Sequence, residues 1–398
     1  MKKPPLLFLC HRIPFPPNKG DKIRSFNMLK VLSEHFEVYL GSFVDDPYDW
    51  QFTAKLDDYC QEVYLLNQNK LFSKLKGLRA FISGRSISEK YYQHRKMQRW
   101  VDKTLADKNI ENVFIYSSVM ALFTQKHIEN IHQVVDFVDV DSDKWRQYAL
   151  SKSGISKWVY AREHIKLQQF ENKVANQSVH SIFVSGPEGE LFKQQIPDPL
   201  HSRVIGLLNG VDVEYFDPEA KLSASELPEI DVVFTGAMDY WANVDAVLWF
   251  AKYVWPTVRE KLPEATFCVV GGNPTAQVNA LHGKHGITVT GRVEDVRTYI
   301  KQGKVSVAPL QIARGIQNKV LEAMAMAKPV VATSMAIEGI DARTDSIDIC
   351  DSAQDYADHV CKRIENVVRS ANNREWILNN VRWSETMGSL PRLFRMDA

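Results

Sequence analysis

Short runs of consecutive apolar residues recur along the chain: Leu6–Cys10, Val38–Phe43, Val113–Tyr116, Val134–Val138 and Ser181–Val184, then Val232–Thr235, Thr266–Gly271, Thr288–Thr290, Val305–Ala308 and Pro329–Ala332. Glycine-bearing turns and helix-length stretches separate them. A strand covered by helices on both faces reads as an unbroken apolar run, because neither face meets water. This rhythm predicts an α/β protein of doubly wound parallel sheets. The 398 residues predict two sheets rather than one, since single cores stop growing near ~250–300 residues. The polar, proline-bearing stretch Asp217–Glu229 divides the first five runs from the second five and reads as the linker.

Composition adds exclusions. With 45% hydrophobic and 24% charged residues and a net charge of +1, the chain has the make-up of a soluble globular protein rather than a disordered or fibrous one. No stretch approaches the ~20 apolar residues of a bilayer-crossing helix. The start of the chain lacks a long apolar h-region and a small-residue cleavage site, so a cytoplasmic location is expected. The five cysteines are scattered and form no Cys-x-x-Cys, which suits small buried thiols better than a zinc or redox site. Charge is uneven locally: between Lys70 and Lys103 ten basic residues face two acids. Within it Leu71–Ile82 is apolar and basic at helical spacing, which fits either a solvated helix face or a helix lying on an anionic membrane surface. No nucleic-acid motif accompanies it, and no nucleic-acid partner is expected.

Four segments can carry chemistry. After the first run, His11–Arg24 offers Gly20 as the opening of a helix, with Lys19, Lys22 and Arg24 adding positive charge toward an anion at the helix start. It is neither a Walker loop nor a dinucleotide fingerprint. The second, Val134–Trp145, places Asp136, Asp139, Asp141 and Asp143 at a strand end. Mutual repulsion there is expected to raise one carboxyl toward the range of a general base. Two Asp-x-Asp spacings also permit a divalent metal, and Asp141 or Ser142 is expected to cap the following helix. The third, Leu207–Pro218, contains the turn signal Asn209-Gly210. The fourth, Ala313–Ala332, reads as loop, helix and strand. Gly315 allows close backbone approach, the helix start near Gln317 or Asn318 offers N–H groups to a diphosphate, and Lys319 lies in the first turn. Glu322, about one turn on, suits two adjacent ribose hydroxyls.

Taken together, Asn209-Gly210-Val211-Asp212 with Phe216-Asp217-Pro218, Gly236-Ala237-Met238, Val269-Val270-Gly271-Gly272, Thr290-Gly291-Arg292-Val293 and Leu321-Glu322-Ala323-Met324-Ala325 with Pro329-Val330-Val331 recur in this order in family-4-type retaining glycosyltransferases. The chain resembles them over nearly its whole length. The wording Arg314-Gly315-Ile316-Gln317-Asn318-Lys319 resembles a bacterial subgroup associated with exopolysaccharide and exosortase loci. The resemblance implies a GT-B fold, two Rossmann-like domains facing a central cleft. Residues 1–215 would form the acceptor-side domain, 216–382 the nucleotide-sugar domain, and 383–398 would cross back onto the first.

By the same resemblance, Glu322 matches the ribose-binding carboxylate, the second Glu of an E-x7-E motif. Gly315, Ile316, Gln317, Asn318 and Lys319 match the diphosphate-facing loop and helix start. Arg292 and Val293 match the base-side turn, Gly236 the turn after the domain's first strand, and Gly20 the glycine loop of the first domain. Three positions depart from the pattern. The first Glu of the motif falls on Arg314, a frequent His falls on Asp139, and a basic pair after Gly236 is replaced by Tyr240-Trp241-Ala242-Asn243. Asp139, Arg314 and Lys319 are therefore the expected catalytic residues, the last two supplying positive charge to the leaving diphosphate. Such charge stabilises the transition state without a metal. No metal or cofactor is expected beyond the UDP- or GDP-linked donor. The expected activity is sugar transfer, with retention, to a glycan or lipid-linked acceptor in exopolysaccharide biosynthesis. The alternatives are a sugar-nucleotide epimerase, a metal-dependent transferase through Asp139-x-Asp141, and an inactive sugar-nucleotide-binding protein.

Overall fold

A computed structural model of the chain describes residues 3–17, 19–68, 77, 80–222, 229–313, 316–342 and 344–396. Two compact units are present, Met1–Leu208 with Met387–Ala398, and Asn209–Thr386.

In the first unit lie β1 (Pro5–Cys10), β2 (Glu37–Val44), β3 (Glu62–Asn67), β4 (Asn112–Tyr116), β5 (His132–Val138), β6 (His180–Phe183) and β7 (Val204–Gly206). They form one sheet in the order β3-β2-β1-β4-β5-β6-β7, every neighbouring pair parallel. Of its helices, those used below are α1 (Gly20–His35), α2 (Ile87–Tyr92), α3 (Arg95–Asp107), α4 (Asp141–Ser151) and α5 (Gly154–Gln177). The second unit repeats the plan with β8 (Val232–Thr235), β9 (Phe267–Val270), β10 (Ile287–Val289), β11 (Val305–Ala308), β12 (Val330–Ala332) and β13 (Ile347–Ile349), and with helices α6 (Trp241–Trp249) and α7 (Asn318–Ala325). Its strand order is β10-β9-β8-β11-β12-β13, again parallel throughout.

Both orders reverse direction once, between β1 and β4 and between β8 and β11. In doubly wound sheets ligands bind beyond the strand carboxyl ends at that reversal. The expected doubly wound α/β architecture is what the chain adopts. β3, β7 and β13 extend the expected set, and all three are edge strands with partly exposed residues.

The first unit ends at Leu208, earlier than the expected 215, because the residues that follow are bonded within the second. The Val211 N–H donates to Val381 O at 2.7 Å, and Asn209 Nδ2 donates to Asn318 Oδ1 at 3.2 Å. Gly210 packs so closely on Trp383 that a Cβ there would lie 2.6 Å from the Trp383 nitrogen. The same contact keeps Trp383 in the second unit, so the return to the first begins at Met387 rather than 383. The returning residues are tied down by Asn112 Nδ2 donating to Arg395 O at 2.9 Å and by Phe394 packed edge-on against Phe36 and Phe114. Among the described residues no helix is long and apolar enough to cross a membrane.

Candidate functional site

The second unit gathers polar groups on both sides of its strand reversal. After β8 the chain turns at Gly236 (φ +155°), and after β9 it turns at Gly271 (φ +155°). A Cβ on Gly271 would lie 1.7 Å from Gly236 O, and one on Gly236 would lie 2.7 Å from Asn243 Nδ2. Only glycine allows this approach. The Gly271 N–H donates to Gly291 O at 3.2 Å, which brings the turn carrying Arg292 against Gly272. Arg292 is exposed, whereas the adjacent Val293 is half-buried against Ile230, Val233, Cys268 and Val270.

Across the reversal, α7 follows β11. Ile316 is buried and packs on Gly339, Gln317 is the N-cap residue, and Asn318 opens the helix while its Oδ1 accepts from Asn209. The first amides of such a helix have no acceptor within it and attract anions. Lys319 Nζ donates to Asn243 Oδ1 at 2.6 Å and lies 5.0 Å from the centre of the Phe234 ring. Asn243 is itself fixed by donating from Nδ2 to Ala237 O at 2.9 Å. A lysine is thus held by a neutral amide and an aromatic face, with no carboxylate bonded to it among the described residues.

Burial pulls the Lys319 ammonium down to about 8, opposed by the Glu322 charge. Burial likewise pushes the Glu322 carboxyl up to about 7, opposed by Lys319. The Glu322 side chain forms no hydrogen bond or ion pair among the described residues; its backbone carbonyl accepts from the Met326 N–H. An uncommitted acid and an amide-held cation in one helical turn are arranged to meet a ligand carrying hydroxyls and negative charge.

The rest of the second unit holds this turn in place. The Arg297 guanidinium stacks 3.8 Å from the centre of the Tyr215 ring, donates to Tyr215 O at 2.8 Å and pairs with Asp295 at 2.6 Å. Arg374 donates to Ala325 O at 2.6 Å and Phe216 O at 2.8 Å. It therefore fastens the segment after Asn209-Gly210 to the carbonyl end of α7, where positive charge suits the helix dipole.

The first unit uses its charges differently. Gly20 opens α1 as expected, but Lys22 and Arg24 point inward and are buried. Lys22 Nζ pairs with Asp49 at 3.0 Å, and Arg24 Nε pairs with Asp136 at 2.8 Å while its Nη1 donates to Leu207 O. The expectation that these two cations serve an anion at the helix start is corrected: both are consumed by buried acids. Arg12 bonds Asp21 and Asp45.

Asp139 follows Val138, whose φ of +69° turns the chain out of β5. Its Oδ2 accepts from Lys144 Nζ at 2.7 Å, and Asp141 Oδ1 accepts from the same ammonium at 3.0 Å. The capping expectation also changes. The start of α4 is capped by acids from elsewhere, Glu188 Oε2 accepting from the Val140 N–H at 3.0 Å and Glu171 Oε1 from the Ser142 N–H at 3.2 Å. Within the acidic run the raised carboxyl is the buried Asp136, lifted by desolvation against the pull of Arg24. Outside it, burial lifts Glu171 to about 8.

Gly236, Arg292, Gln317, Asn318, Lys319 and Glu322 therefore lie in the second unit, on the segments that follow the carboxyl ends of β8, β10 and β11, and Gly20 and Asp139 lie in the first. Arg314 and Gly315 fall outside the described residues, as does most of Leu71–Ile82. Asn243, Tyr215 and Arg297 were not singled out from the sequence as site residues. The substitution of Asn243 for a basic pair was visible, but not that it would hold Lys319.

Residues 229–366 match the family model described as Glycosyl transferases group 1. By sequence, no curated protein matches. The fold is similar to HepE from Anabaena in complex with UDP and glucose (15% identity, 97% of this chain and 98% of that one, TM-score 0.67). It is also similar to sucrose-phosphate synthase from Thermosynechococcus elongatus (15% identity, 98% of each chain, TM-score 0.68) and to WaaG, a glycosyltransferase involved in lipopolysaccharide biosynthesis (14% identity, 98% and 99%, TM-score 0.66). A glycosyl transferases group 1 domain set within a two-domain GT-B chain makes this protein a glycosyltransferase.

Proposed function

We propose that the protein moves a sugar from a nucleotide-diphosphate donor to a glycan or lipid-linked acceptor, with retention of configuration and without a metal, in exopolysaccharide assembly. The observation that carries the reading is the α7 turn, where Lys319 is held by Asn243 and Glu322 carries no partner among the described residues. Glu322 accepts from the ribose hydroxyls of the donor. The first amides of α7 and the Lys319 ammonium receive the charge that develops on the leaving diphosphate. Each such preorganised donor is worth about 2.7–4 kcal/mol in comparable oxyanion sites. This cationic support is what favours a metal-free reaction, and Arg314 adds to it. Gly236 and the Arg292–Val293 turn face the base end. Asp139, paired with Lys144, takes part in catalysis from the first unit.

HepE has been solved with UDP-glucose and with UDP, so UDP-glucose is the first donor to try. Retention and the exopolysaccharide role rest on the motif resemblance, as does the lipid-linked acceptor with its anionic membrane surface at residues 70–103. The test is a panel of UDP- and GDP-sugars in which nucleotide release is measured with and without acceptor extracts, in EDTA and in Mn²⁺. Acceptor-dependent release that persists in EDTA is expected. Product formed from donor alone would select the epimerase reading, and nucleotide binding with no release under any of these conditions the inactive one.

A further inference from the structure

Helix α5 is apolar on the side where it meets water. Its buried residues include Glu163, Leu167, Phe170, Glu171 and Val174. At ~3.6 residues per turn, the opposite face carries Ile155, Trp158 and Ile165, where a solvated helix places polar groups. Ile155 is 83% exposed and Trp158 60%, and Leu150 near the end of α4 is 70% exposed. Every residue from Lys152 to Trp158 is exposed, so the α4–α5 turn projects from the unit instead of lying in a groove. It is braced from beneath: the Trp145 ring centre lies 5.5 Å from that of Tyr160 and 6.0 Å from that of Tyr148.

Charge narrows what covers this tip. Residues 144–178 contain two acids, both fully buried. Glu163 accepts from the Ile87 and Ser88 N–H groups at the start of α2, and Glu171 from the Ser142 N–H. The exposed charges of the stretch are all positive, and Lys152 and Lys157 flank the tip with no acid partner among the described residues. Protein interfaces deplete lysine. Large apolar side chains set between lysines on a projecting turn instead suit the headgroup layer of an anionic bilayer. Rings and aliphatic chains enter the acyl boundary there, and ammonium groups stay with the phosphates. We infer that the α4–α5 turn docks this protein on an anionic lipid bilayer, inserting Leu150, Ile155 and Trp158 with Lys152 and Lys157 on the lipid phosphates. These residues lie outside 70–103; Phe81, stacked on Trp158 at 5.7 Å and 17°, is where the two segments meet. The inference deepens the membrane reading proposed above and rests on it for its purpose, delivery to a lipid-linked acceptor.

The test is flotation of the full chain with vesicles of phosphatidylcholine alone and of phosphatidylcholine mixed equally with phosphatidylglycerol. Flotation is expected on the mixed vesicles, weakening as salt rises, and several-fold less on phosphatidylcholine. Ile155→Glu with Trp158→Glu is expected to weaken it at least tenfold, and Lys152→Glu with Lys157→Glu several-fold. Trp158→Phe should preserve it. Arg95→Glu with Lys96→Glu, on the exposed start of α3, should leave it within about twofold. All these side chains are exposed, and an unchanged circular dichroism spectrum and unfolding midpoint confirm that each variant is folded. Equal flotation on phosphatidylcholine, or undiminished flotation of the Ile155→Glu, Trp158→Glu variant, would overturn the assignment. So would a loss caused instead by the α3 pair, which would return the contact to 70–103. A dimer that dissociates on Ile155→Glu with Trp158→Glu would give the tip to a second copy and overturn it as well. Neither nucleotide nor acceptor enters the assay, so its failure is separable from failure of the donor reading.

Discussion

The two units share a strand order, yet they treat positive charge at the strand reversal in opposite ways. In the first, Lys22 and Arg24 are buried against Asp49 and Asp136, each paired with its own acid. In the second, Lys319 is held by the neutral amide of Asn243 and the Phe234 ring. A carboxylate partner consumes a cation for the scaffold. An amide orients the cation and leaves its charge for whatever arrives. The kind of group that holds a lysine therefore says more about its use than its place in a loop does.

Four changes test this contrast, in descending order of effect. Asp136→Ala strands the Arg24 guanidinium in the core, and losing one partner of a buried pair costs about 3–5 kcal/mol. Urea denaturation should show that loss, with UDP affinity of the folded fraction unchanged. Lys319→Ala should do the converse. Donor turnover falls ~10²–10³-fold, by analogy with removal of an oxyanion donor, while the unfolding midpoint holds or rises because a buried ammonium is gone. A lysine variant that is unstable but fully active would erase the distinction between the units.

Asn243→Asp converts the second arrangement into the first. The new carboxylate raises the Lys319 pKa and competes with the donor diphosphate, so UDP affinity should drop about tenfold, ~1.4 kcal/mol, without loss of stability. The smallest effect is on pH. UDP binding should strengthen as pH rises through about 7, where Glu322 ionises, and weaken as it rises past about 8, where Lys319 loses its proton. Calorimetry across this range should give a narrow maximum. Glu322→Gln should remove the acid limb and Lys319→Arg the alkaline one. A flat profile in the unaltered protein would show that neither group meets the nucleotide.

Interior strands were legible in the sequence because burial on both faces leaves an uninterrupted apolar run, as in Phe114 and Val134–Val135. The strand β13 was not, because Asp348 interrupts its run, and the short apolar runs of β3 (Val63–Leu66) and β7 (Val204–Ile205) were passed over; all three sit at sheet edges. Residues 317–322 were legible because a loop, a helix start and a lysine–acid spacing of three are local features. The partnership of Lys319 with Asn243 spans 76 positions, and no local pattern encodes it. Lys22 and Arg24 misled for the same reason: their acids lie far along the chain, and a basic residue after a strand looks alike whether it faces ligand or core. The four aspartates of Val134–Trp145 read as one cluster, but Asp136 turns inward to Arg24, while Asp139 and Asp141 share Lys144.

The meeting of Gly236 and Gly271 bounds how far this enzyme can be re-engineered. With one carbonyl occupying the space of the other's missing methyl, neither position tolerates diversification. Libraries aimed at altered donor preference gain nothing from sampling them. Variation belongs instead at Tyr240, Trp241 and Arg292, which border the glycine pair and stay open to solvent.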